Sequence, residues 1–275
     1  MPSVKIKVFL GPKHAIWSET EQIPSWLVEF VEESMSEFEV LEMTLHDKHY
    51  SQGVMSPLFT AHASVPEFLK TPELKTCAPN VIGNIGEGLG LAALMYLANL
   101  EPFEVTRVKR RKEIQIPEAK RTPDFVASLS PSNSRSPSAL IRKLLAIHAP
   151  PSLKNLIQLS TKTSNFPRRF PIEAKGTMKP SGASLWSGIW QLIEYWHSCI
   201  QLKTALDEIG YGIVLHTTNI GILTRSIAIH VFIPRNQKKL GSALQDLVAT
   251  RGSRAAFEQQ FSNLGESAFV DTSFI

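Results

Sequence analysis

The 275-residue chain has only two cysteines, Cys77 and Cys199. Two thiols cannot make a disulfide framework, and their spacing fits no thiolate metal site, so a reducing compartment is the expectation. No window approaches the roughly 18 apolar residues of a membrane helix. The opening MPSVKIKVFLGPKHA lacks the apolar run and small-residue cleavage site of a signal peptide. The expected protein is soluble and intracellular, in cytoplasm or nucleus, with no membrane contact; export by a machine that reads no classical signal stays open. The chain also lacks G-x-S-x-G, which removes the usual serine-hydrolase elbow. The glycine-rich GNIGEGLGLAAL lacks Walker A spacing and a clear preceding strand, so its small residues read as close helix packing.

What is present is an ordinary globular mixture, 43% hydrophobic and 20% charged, long enough for a sizeable core. The formal charge of +4 is compatible with a polyanionic partner and far from diagnostic of one. Residues 1–78 read as an N-terminal lobe or extension containing the strand SVKIKVFL and the helix PSWLVEFVEESMSEF. From about 84 to 100 a glycine-rich helix is predicted, closed by Pro102. FEVTRVKRRKEIQI reads as one long strand or a hairpin, and TPDFVASL as a strand with Pro123 at its head. The polar SPSNSRSPS opens an insertion over about 130–168. RRFPIEAKG resumes the strands. A long helix follows, with Ser181 or Ser184 as candidate N-cap and Gly210 as its stop. YGIVLHTT and SIAIHVFI are apolar strands, and the C-terminal run QKKLGSALQDLVATRGSRAAFEQQFSNL is helical. This mixed order predicts an α/β fold, a central mixed sheet flanked by helices.

The segment FPIEAKG, residues 170–176, poses the central question. Its flanks read as a buried strand, yet it carries Glu173 and Lys175. Strand side chains alternate, so these two point the same way and Ala174 points the other. A buried charge is costly unless it is paired or bound to a cation. If the TPDF strand is a neighbour, Asp124 meets Glu173, and two carboxylates that close repel unless a cation lies between them. Mg²⁺ is suited to such a site, taking a few carboxylate oxygens and leaving other positions to water and phosphate. The carbonyl of Ala174 is a further candidate ligand, and a lysine beside the metal can hold the attacking water.

Pro123-Asp124 with Glu173-Ala174-Lys175 resembles the signature of the PD-(D/E)XK nuclease superfamily, over roughly 84–233. Glu-x-Lys alone means little, because it also occurs at Glu73–Lys75 and Glu118–Lys120. Pro-Asp occurs once, and Gln191-x-x-x-Tyr195 occurs once, in the helix after the strand, matching the RecB-like branch. The resemblance implies a restriction-endonuclease-like core over 79–275 and Mg²⁺-dependent hydrolysis of DNA, with Mn²⁺ able to substitute and RNA not excluded. Asp124, Glu173, Lys175, Gln191 and Tyr195 would be catalytic. Asp124, Glu173, the Ala174 carbonyl and Glu87 would hold the metal. The gap between Asp124 and Glu173 is long for the superfamily, so the two acids meet only if the insertion loops out.

The basic run RVKRRK supplies candidate phosphate contacts in Arg107, Lys109, Arg110 and Arg111, with Lys179 beside the strand. Each also has a plainer reading as a solvated charge. The competing functional reading is a nuclease-fold protein that no longer cuts and serves as a nucleic-acid-binding or assembly module. A homodimer or a partner protein is compatible with either.

Overall fold

The run Gly212–Thr218 is buried at every position. A strand covered on both faces belongs inside a sheet with helices above and below. The computed structural model places it there. It describes residues 3–10, 14–15, 79–98, 105–107, 123–128, 167, 169–178, 182–218, 224–250 and 253–269.

The elements in chain order are β1 (Ser3–Leu10), β2 (His14–Ala15), α1 (Pro79–Ala98), β3 (Val105–Arg107), β4 (Phe125–Ser128), β5 (Arg169–Gly176), α2 (Gly182–Leu202), a 3₁₀ turn (Leu206–Glu208), β6 (Gly212–Thr218), β7 (Thr224–Phe232), α3 (Gln237–Ala249) and α4 (Arg254–Ala268). They form one mixed sheet in the order β2-β1-β7-β6-β5-β4-β3. β3, β4 and β5 are successively antiparallel. β5 and β6 are parallel, joined across the sheet face by α2, and β7 returns antiparallel to β6.

The register sorts the side chains into two layers. Ile172, Ala174, Ile213, Leu215, Thr217, Ile227 and Ile229 share one face, where α1 packs. Two close approaches hold α1 there. Thr217 Oγ1 donates to the Gly86 carbonyl at 2.8 Å. A Cβ on Gly176 would lie 2.7 Å from Gly86 Cα and 2.8 Å from the Ile82 carbonyl, so only glycine lets the end of β5 meet that helix. The opposite face carries α2, α3 and α4. Their aromatic core joins Trp196, Phe232, Phe261 and Phe269 to Leu240, Leu244 and Leu247. Asn236 caps α3 by accepting from the amides of Lys238 and Lys239, both at 3.1 Å.

Several sequence expectations are corrected. α2 ends at Leu202, not at Gly210. Lys203 takes a left-handed φ of 51°, its amide reaches the Ile200 carbonyl, and the Thr204 amide reaches that of Cys199. This is a Schellman closure with lysine at the position glycine usually fills. Gly210, at φ +83°, serves the turn into β6, where a Cβ would stand 2.4 Å from Leu240 Cδ2. Ser184 lies inside α2, not at its cap, and Ser181 is outside the described residues. Residues 1–78 do not stand wholly apart: β1 lies in the main sheet, parallel to β7 over Ser3–Leu10. The rest of that span, except β2, lies outside the described residues, as does nearly all of 130–168. No helix among the described residues is long and apolar enough to cross a membrane.

Candidate metal centre

β4 ends its pairing with β5 at Phe125, opposite Ile172. Beyond that point the β5 edge has no β4 residue beside it, and Asp124 occupies the place. Its Oδ2 accepts from the Ala174 amide at 3.1 Å. In extended backbone a residue's amide and carbonyl leave the strand on the same side. The Ala174 carbonyl therefore faces the edge that Asp124 occupies.

Glu173 is fully buried. Lys175 forms an ion pair with Glu173 Oε1, and its ammonium lies 3.8 Å from Asp124 Oδ2. The other Glu173 oxygen, Oε2, is buried and accepts no hydrogen bond, although the protonated carboxyl can share its proton with Asp124. Burial, first, and then the neighbouring Asp124 push the Glu173 carboxyl well above the usual carboxylate range. For Lys175 burial acts to lower the pKa, but Glu173 and Asp124 outweigh it and the pKa rises. Glu87, buried on α1, lies close enough for its charge to act on the same ammonium. Asp124, Glu173 and Lys175 therefore converge at one sheet edge, Glu87 acts on Lys175 through its charge, and the long insertion does not keep β4 and β5 from pairing.

α2 crosses above this edge. A Cβ on Gly188 would meet Val214 Cγ1 at 2.9 Å, Lys175 Cγ at 3.4 Å and Glu173 Cγ at 3.5 Å. The glycine brings the helix down onto the two charged side chains. Gln191 is half-buried one turn further on the same side.

Tyr195 is elsewhere. Its hydroxyl donates to Glu208 Oε2. The same carboxylate receives Arg169 Nε at 2.8 Å and a second Arg169 nitrogen at 2.7 Å. Burial, above all, lifts the pKa of Tyr195 far out of its ordinary range and raises that of Glu208 as well. The catalytic reading of Tyr195 gives way to a structural one: it ties α2 to the turn before β6 and to the start of β5. Tyr195→Phe is expected to lose about 1–3 kcal/mol of stability by stripping a buried carboxylate of one donor. Any activity per folded molecule should stay within about two-fold. Thermal melts beside an activity titration check both.

His216 was not anticipated. It pairs with Lys175 in the register, on the face that carries Glu173. Its Nε2 lies 2.7 Å from Ser184 Oγ, and burial lowers its pKa to about 4, so it is neutral at pH 7. The available signal was a lone imidazole in the apolar run IVLHTT. Of the basic candidates, Arg107 stands on β3, while Lys109, Arg110, Arg111 and Lys179 lie outside the described residues.

Among the described residues no three or more His, Cys, Asp or Glu are gathered in a group that could hold a metal ion. The acids form a pair, which leaves most positions of a divalent cation to water and substrate oxygen, the pattern Mg²⁺ favours. Glu173 Oε2, which accepts no hydrogen bond, fits such an ion. Comparisons with protein-family models, curated proteins and solved structures gave no match.

Proposed function

We propose that the chain is a metal-dependent nuclease of the PD-(D/E)XK type that hydrolyses DNA phosphodiester bonds. The observation that carries this reading is the sheet edge where Lys175 bridges Glu173 and Asp124 while the buried Glu173 Oε2 accepts no hydrogen bond. A structural ion pair would be expected to satisfy both oxygens of so buried a carboxylate. A site built for a further cation would not. The run α1, β3–β4–β5, α2 and β6 is consistent with a restriction-endonuclease-like core.

In this reading Asp124, Glu173 and the Ala174 carbonyl hold Mg²⁺ or Mn²⁺. The ion supplies Lewis acidity toward a phosphoryl oxygen and acidifies a coordinated water. Lys175 orients that water and offsets the charge that grows on the phosphate. Water oxygen would bond to phosphorus and lose a proton to solvent, while the bond to the leaving oxygen breaks and that oxygen takes up a proton. The superfamily resemblance implies a 5′-phosphate and a 3′-hydroxyl as products. Gln191 borders the site where the nucleic-acid backbone would approach.

The test is cleavage of single- and double-stranded DNA, and of RNA, in Mg²⁺, Mn²⁺ and EDTA. DNA cleavage is expected only with a divalent cation and is lost in Asp124→Asn. No cleavage of any nucleic acid under these conditions, or cleavage undiminished in Asp124→Asn, would overturn the reading.

A further inference from the structure

The flank of α2 turned away from the acids borders an open cavity of ≈ 250 Å³, room for one planar ring system. Trp186 and Trp190 line it from α2, Arg254 from α4, and Ser187, Thr250 and Ser253 add hydroxyls at its rim. Both indoles are braced by phenylalanines, of which Phe257 itself lines the cavity. Phe257 meets Trp190 edge-on with centroids 4.6 Å apart and Trp186 edge-on at 5.7 Å, and Phe261 meets Trp186 at 5.7 Å. Trp186 and Trp190 nonetheless stay half-exposed. Rigid aromatic surface left partly open beside a guanidinium is chemistry suited to stacking a flat π system. Arg254 Nε donates to Glu258, while one of its terminal nitrogens lies over Gly182, 3.8 Å from where a Cβ there would stand.

We propose that this cavity is a nucleobase subsite, which holds by stacking one base of a single strand whose backbone reaches Asp124, Glu173 and Lys175. The proposal rests on the nuclease reading for the identity of its ligand. The path between the two places runs around α2. Gly188 and Ser184 face the sheet, through Glu173 and Lys175 and through His216. Ala183, Trp186, Ser187 and Trp190 face the cavity. At about 100° per residue the two strips lie roughly 120° apart, with Ser187 and Gln191 on the strip between them. A strand crossing at Ser187 and Gln191 has its phosphate on the acids and a flanking base in the cavity. Half-exposed indoles reward a flat ring over an aliphatic side chain, because stacking adds to the area buried.

The probe is oligo(dT)₈ in EDTA, where no cleavage occurs, read by quenching of tryptophan fluorescence. The variants are Ser187→Phe, which narrows the mouth from an exposed position and spares the core, and Arg254→Glu. Lys239→Glu, exposed on α3, controls for bulk charge. Quenching by oligo(dT)₈ is expected, with binding weakened about ten-fold in both variants, the factor one lost stacking contact gives. KM for cleavage of single-stranded DNA should rise in parallel, and Lys239→Glu should match the parent. If the protein cleaves DNA while both variants bind and cleave like the parent, the subsite is refuted and the nuclease reading stands. If the variants lose oligo(dT)₈ binding but no nucleic acid is cleaved with any metal, the nuclease reading falls and the base site stands. A concentration-dependent dimer that Ser187→Phe abolishes, with no effect of oligo(dT)₈ on fluorescence, assigns the cavity to a second copy and overturns the proposal.

Discussion

Lys175→Met is expected to reduce DNA cleavage about 10³-fold, the cost of removing a fixed positive group from a site of developing charge. It should also destabilise the metal-free protein. Among the described residues the Lys175 ammonium is the cation that bridges Glu173 and Asp124. Breaking a buried pair from one side costs about 3–5 kcal/mol, because the other charge is left uncompensated. Here the lysine and Asp124 side chains are each 21% exposed, so a loss of about 2 kcal/mol is expected, near 5 °C in Tm for a chain of this size. The sign of the pH dependence follows from Glu173. Its folded pKa is already raised, and without Lys175 it rises further. A raised folded pKa contributes stability below the unfolded value and loses it as pH rises through the folded value. The deficit of the variant should therefore be smaller at pH 5 than at pH 8. Mn²⁺ should recover much of the Tm and none of the rate. Melts at both pH values, with and without Mn²⁺, check this. Equal deficits across pH, or a rate within ten-fold of the parent, would contradict the assigned role.

The acids were legible in the sequence for a local reason. Period-two alternation turns Glu173 and Lys175 to one face whatever the rest of the fold does, and an apolar strand that carries them demands an explanation. Asp124 was legible through its place at the head of the next strand back. Tyr195 was misread because helical spacing reports an angle and not a height. Gly188 sits over Glu173, but Tyr195 is seven residues on, about 10 Å along the axis, and there meets Glu208 instead. The end of α2 was misread because Lys203 takes the left-handed conformation that the sequence assigned to Gly210. The pairing of β1 with β7 joins Ser3 to Thr224, and no local pattern announces a parallel partner so distant. The Ser184–His216 bond was hidden likewise, since a serine near a helix start reads as a cap.

Metal binding is expected to strengthen with pH well above the ordinary carboxylate range, and to disappear in Glu173→Gln. Burial and Asp124 hold Glu173 toward its protonated form, yet a carboxylate must be ionised to bind a cation. Binding therefore expels a proton. Below the folded pKa of Glu173 the apparent affinity for Mn²⁺ should rise about ten-fold per pH unit, then level off above it. An exposed glutamate would already be flat above about pH 5. Calorimetry in two buffers of different ionisation enthalpy should count more protons released at low pH than at high pH. The metal-free parent gives a second reading of the same group. Ionisation of Glu173 removes stability as pH rises through its folded pKa, whereas glutamine has nothing to titrate. The Tm of Glu173→Gln minus that of the parent, both without metal, should thus grow more positive from pH 5 to pH 9. With Mn²⁺ the parent should recover and the variant should not respond. A nuclease-fold protein that only binds nucleic acid would keep the metal-free trend, because that belongs to the buried carboxyl, but would show no Mn²⁺ shift in either protein. The two readings separate on the metal arm alone.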